Sequence, residues 1–94
     1  MEQASHPKTQ LIAFYCKAVG HPIRSQILQY LKQEGPNQCG NLVDQLPVAQ
    51  ATVSQHLKIL LSAGLINGKA IGTRVIYSVN EKGLESFKQL IAQM

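Results

Sequence analysis

Residues 51–58 read "ATVSQHLK" and crowd hydroxyl, amide, imidazole and ammonium groups into two helical turns. Such groups suit the edges of base pairs in a major groove. Gln bonds adenine bidentately, Ser reads a donor or an acceptor, Ala and the Thr methyl touch the thymine methyl, and Lys reaches guanine or phosphate. Thr52, Ser54, Gln55, His56 and Lys58 are therefore candidate DNA-binding residues. His56 has no His or Cys partner at i+3 or i+4, so a satisfied half-buried ring or a phosphate contact is a better reading than a metal ligand. Lys69 and Arg74 flank "IGT", where cationic side chains reach phosphate or a minor groove. Catalysis is not indicated: no phosphate-binding glycine loop, nucleophile motif or carboxylate pair occurs between Gln45 and Asn80.

Charge distribution favours the same segment. The net charge is +4 and the pI about 9.3, and no acidic residue lies between Asp44 and Glu81 while Lys58, Lys69 and Arg74 do. At 94 residues, 45% hydrophobic and 15% charged, residues 1–94 are expected to form a single domain. No run of eighteen apolar residues occurs, and Met1 to Gln10 is polar, so the expectation is a cytoplasmic protein with neither span nor signal peptide. The two cysteines, Cys16 and Cys39, are too few for a disulfide scaffold. As the sole thiols they are a candidate redox pair, or a soft-metal site across a dimer. Inert buried thiols are the favoured reading, above all for Cys16 inside an apolar stripe.

The elements that position these groups follow from periodicity. From about Lys8 to Val19, Leu11, Phe14, Tyr15 and Ala18 make one helical stripe, and Ile12, Cys16 and Val19 another. Pro22 suits the first turn of a second helix, with Ile23, Ile27, Leu28 and Leu31 at core spacing, which "QEGPN" stops. A short third helix is expected from near Gln38 to Leu46, with Asn37 as cap and Leu42, Val43 and Leu46 inward. The fourth continues to about Ala63, with Gly64 as its stop; Val53, Leu57, Leu60 and Leu61 face the core, which turns Ala51, Ser54, Gln55 and Lys58 outward. "LINGKAIGTRVIYSVN" then alternates as a hairpin, and Asn80 caps a last helix lined by Leu84, Phe87, Ile91 and Met94. The expected fold is mostly α with a small β-hairpin (α+β): a winged helix-turn-helix with five helices and a two-stranded wing. The first helix, apolar on two sides, is either buried centrally in the monomer or part of a subunit interface, the favoured reading, and the last helix is its natural companion.

"VGHPIRSQILQYL", "ATVSQHLKILLSAGLI" and "GTRVIYSVN" resemble the signature blocks of the ArsR/SmtB bacterial winged-helix repressors, over roughly Leu11 to Leu90. The resemblance implies a homodimer joined by its first and last helices, which makes Leu11, Ile12, Tyr15, Leu84, Phe87 and Ile91 the candidate dimer interface. Such a dimer binds an inverted-repeat operator in double-stranded DNA and releases it when an inducer binds. It makes Gln50 to Lys58 the recognition helix and Lys69 to Arg74 the wing, adding Gln50 and Thr73 to the candidate contacts. Three departures stand out. Metal-sensing members carry a Cys-x-Cys pair where this chain has Gln38, Cys39 and Gly40. Others bind zinc through Asp, His and Glu in the last helices, yet Glu81 to Met94 holds no His or Asp. No metal and no cofactor is therefore expected. Ala49 stands where a Ser often caps the recognition helix. A protein-interaction module built on the same fold is the competing reading.

Overall fold

The computed structural model describes residues 7–94; the part of the polar lead-in that covers residues 1–6 lies outside them. Helix α1 (Pro7–Val19) is followed by α2 (Pro22–Glu34), a two-residue strand β1 (Asn37–Gln38), α3 (Cys39–Gln45) and α4 (Gln50–Ser62). Strands β2 (Ile66–Ile71) and β3 (Arg74–Val79) lead into α5 (Glu81–Ala92). The sheet is antiparallel in the order β1-β3-β2. The wing expected with two strands thus gains a third, β1. Asn37 and Gln38 pair with Tyr77 and Ile76, which ties the start of α3 to the wing. A two-residue strand between Pro36 and a helix leaves too little alternation to read.

Local chemistry explains most element ends. His21 precedes α2 in extended backbone, and its Nδ1 accepts from the Ile23 N–H at 3.1 Å, with Pro22 in the first turn. Asn80 Oδ1 accepts from the Gly83 N–H at 3.1 Å and caps α5 as expected. Asn37 does not cap α3: Gln38 occupies that position without a side-chain bond, and the Asn37 Oδ1 accepts from Asn41 Nδ2 at 2.7 Å. Gly64 follows α4 with φ 72°, a conformation side-chain-bearing residues resist, and so ends the helix. Gly72 opens the two-residue wing turn with φ 63°, while Thr73 keeps a negative φ.

The core gathers one buried stripe from each inner element. Ile23, Ile27 and Leu31 of α2, Leu42 of α3, and Val53, Leu57 and Leu60 of α4 meet Ala18, Ala63, Leu65 and Ile66. Leu61, expected inward, is 36% exposed and lies over Gly68 of β2. It stands a full 100° step past Leu60, at the edge of the stripe. Helix α5 has no fully buried residue; it leans on α1 through Phe87, whose ring lies 5.6 Å from that of Tyr15. Cys16, expected buried, is exposed on α1, because α1 buries only Ala18 completely.

Gly83 holds α5 against the end of α4. A Cβ at this position would run into the Gly64 carbonyl oxygen, whose strand-side backbone is pinned by the Asn80 N–H to Leu65 carbonyl bond. Gly83→Ala is expected to destabilise the fold by about 2 kcal/mol or more, measured by urea denaturation, despite the better helix propensity of Ala.

Candidate nucleic-acid interface

Burial of Val53, Leu57 and Leu60 fixes the rotation of α4 and leaves the opposite side open. Gln50, Ala51, Thr52, Gln55 and Lys58 are exposed, and neither the wing nor any other described element covers them. Ala49 gives α4 no side-chain cap, and the first internal bonds run from the Thr52 and Val53 N–H groups to its carbonyl. The N–H groups of Gln50 and Ala51 precede these first internal bonds at an exposed, uncapped helix end, where an anionic oxygen is favoured.

The wing adds its cations from one face. Register pairs Ile71 with Arg74 and Lys69 with Ile76, so Lys69 and Arg74 project from the same side of the ribbon as diagonal neighbours. The opposite side carries Tyr77 and Val79, which pack on the core beside buried Ile66. Lys69, Thr73 and Arg74 are all exposed.

Two candidates are placed differently from the rest. Ser54 is half-buried, with its Oγ 3.8 Å from Cys39 Sγ, so it faces α3. Cys39 in turn lies near Tyr77, whose pKa is raised first by burial and then by the negative charge of the Cys39 thiolate. Cys16 and Cys39 are both free thiols, on α1 and α3. His56 turns toward α2: its Nδ1 is 3.0 Å from Arg24 Nη1, and its ring lies 4.4 Å from that of His21.

Arg24 was not singled out by sequence reasoning, although "HPIR" contains it. Its Nε donates to the Ala18 carbonyl and its Nη2 to the Lys17 carbonyl, closing the C-terminus of α1, while Nη1 reaches across to α4. Guanidinium has no acceptor, so His56 Nδ1 must accept, which requires a neutral ring. Burial first, then the charges of His21 and Arg24, hold the His56 pKa below its ordinary 6.5. The packing of three helices thus meets in a hydrogen bond that only neutral imidazole can accept. No group of three or more His, Cys, Asp or Glu side chains among the described residues could hold a metal ion.

Residues 21–68, just over half of the chain, match the family described as bacterial regulatory protein, arsR family. The chain belongs to this family. Its members are transcriptional regulators rather than enzymes. The arsR-family chain is 31% identical over 78 residues to an HTH-type transcriptional regulator of Methanocaldococcus jannaschii, covering 83% of this chain and 88% of that one. It is 40% identical over 68 residues to the HTH-type transcriptional repressor SmtB of Mycobacterium tuberculosis, covering 72% of this chain but only 50% of the repressor. Among solved structures, the homodimeric winged helix-turn-helix DNA-binding domain of Mb0332 from Mycobacterium bovis superposes with a TM-score of 0.73 at 29% identity, over 89% of this chain and 80% of that one. The family model spans α2 to the start of β2, and so takes in the Arg24–His56 contact as well as the exposed side of α4.

A group whose folded pKa is lowered contributes stability that is complete above its unfolded value and is lost as pH falls through the folded one. The urea midpoint is therefore expected to drop as pH is lowered from about 7 to about 5. His56→Asn, whose Oδ1 accepts from Arg24 without titrating, is expected to flatten that part of the dependence.

Proposed function

We propose that the protein is a dimeric, sequence-specific DNA-binding repressor that acts in the cytoplasm, binds an inverted-repeat operator, and uses no metal at the family's usual positions. The observation that carries this reading is the exposed side of α4. Gln50, Thr52, Gln55 and Lys58 project together from a helix whose opposite side is locked in the core, beside a wing that adds Lys69, Thr73 and Arg74. Gln55 reads base edges; Lys58, Lys69 and Arg74 take phosphate; the open N–H groups of Gln50 and Ala51 take another. Ser54 acts chiefly in seating α4 on α3, and His56 in orienting α4 against Arg24.

Dimerisation through α1 and α5 is supported by apolar surface that one chain leaves uncovered. Leu11 is 42% and Ile91 39% exposed, and they continue the partly buried row of Ile12, Tyr15, Leu84 and Phe87. A helix pair with so much apolar surface in water is relieved by an equivalent pair from a second copy. Two α4 helices then enter successive major grooves about 34 Å apart, and the shared interface sets their spacing. A small inducer acts by shifting that spacing or by competing for a phosphate-binding cation.

The test is a gel shift on operator-like and random duplex across a salt series. With three phosphates neutralised by cations per protomer, log affinity against log salt is expected to slope near −5, and Arg74→Ala to reduce the slope by about 2 while weakening all sequences alike. Gln55→Ala is expected to cost about 1–3 kcal/mol of discrimination between sequences, with the slope unchanged. A salt-independent affinity would instead favour a protein-docking role. Ile91→Asp is expected to sediment as a folded monomer and to lose operator binding.

A further inference from the structure

Behind the exposed side of α4, a groove of about 400 Å³ runs between α1 and the last turns of α4. Phe14, Ile59 and Ala63 line its apolar part, and Lys17, Arg24 and Lys58 stand around it with no carboxylate among the lining residues. Phe14 is 48% and Ile59 41% exposed, so two large apolar side chains face solvent within reach of three cations. Its volume falls within the range of about 300–1,000 Å³ found for small-molecule sites.

We propose that this groove binds a small amphipathic carboxylate, a monoanion carrying an apolar body of about the size of octanoate. The chemistry follows from the lining. A mostly apolar wall penalises a highly charged or fully polar ligand, which would lose its hydration without compensation. Three uncompensated cations at the edge favour a negative head group over a neutral or cationic one. Arg24 already donates to the Ala18 and Lys17 carbonyls and to His56, yet each terminal nitrogen keeps a second N–H. Neither Lys17 nor Lys58 forms an ion pair among the described residues, where the salt bridge of Lys32 with Glu81 lies elsewhere.

The consequence for DNA rests on the function proposed above. Lys58 belongs both to the exposed side of α4 and to the groove, so a carboxylate that engages it withdraws one cation per protomer from phosphate. A bound tail also lies against α1 and α4 at once, where it biases the angle between the interface helix and the reading helix.

The test uses the full chain with ¹³C-labelled Ile and Ala methyls, titrated with octanoate, with 1-octanol and with octylamine. The Ile59 and Ala63 signals are expected to shift saturably with octanoate, with octanol about tenfold weaker and octylamine weaker still. Lys17→Gln and Lys58→Gln are each expected to weaken octanoate about threefold and leave octanol unchanged, the size of an exposed charge pair. Unmoved Ile59 and Ala63 signals, or octanol binding as tightly as octanoate, would overturn the proposal. So would contacts from Ile59 to a second copy in a mixed-label dimer, which would make the groove an interface between copies. This titration reads the groove without DNA, so it stands or falls apart from the repressor reading. A gel shift with saturating octanoate then reads the Lys58 link, which unchanged DNA affinity would overturn.

Discussion

The interaction on which the rest depends is the seating of Val53, Leu57 and Leu60 in the core. These three residues are fully or almost fully buried, and together they fix the rotation of α4 about its axis. A turn of 100° would trade them for Ser54, Lys58 and Leu61, exposing apolar surface and burying an ammonium, so the alternative is closed by several kcal/mol. The same seating sends the chain past Gly64 into Leu65 and Ile66, both buried, which anchors the root of the wing. The direction of α4 and the position of Lys69 and Arg74 are consequences of one hydrophobic choice.

That choice is legible in the sequence because a helix buries residues at a fixed angular spacing, and the stripe from Val53 to Leu60 obeys it. The start of α2, the cap of α5 and the break at Gly64 are equally local, set by Pro22 in the first turn, by Asn80 and by a backbone that needs positive φ. What the sequence hides depends on contacts between distant residues. Arg24 has the spacing of an ordinary solvated side chain on α2, and only the fold brings it to His56, 32 positions away. Ser54 fits the pattern of a reading residue, and its half-burial against Cys39 depends on the crossing of α3 and α4. Strand β1 exists only because β3 offers it an edge. Leu61 sits at the edge of its stripe, where the angular argument loses force and the wing decides.

Electrostatics divides the molecule in a way that composition alone only suggests. The one acid paired with a base among the described residues is Glu81, 3.0 Å from Lys32 across α2 and α5, and both are largely exposed, so the pair adds little stability. Lys58 of α4 and Lys69 and Arg74 of the wing form no ion pair among the described residues, and their positive potential remains available at the surface. The Arg24–His56 bond follows the same pattern: it satisfies a half-buried guanidinium with neutral acceptors and no carboxylate, and it requires a ring that stays uncharged.

Helix α1 is where these features converge. Its C-terminal carbonyls are held by Arg24, its Tyr15 meets Phe87 of α5, and its Phe14 and Lys17 form one wall of the groove whose other wall is α4. Because α1 buries only Ala18 completely, it is secured by a few specific contacts rather than by a deep stripe, and such an element changes position at lower cost than α2 or α4. Coupling between a dimer interface and a DNA-reading helix requires an element that touches both and has more than one packing available. Helix α1 touches both α5 and α4, and on the function proposed above its shallow burial makes it, rather than the more deeply buried α2 and α4, the element through which a ligand or a second subunit would act on the exposed side of α4.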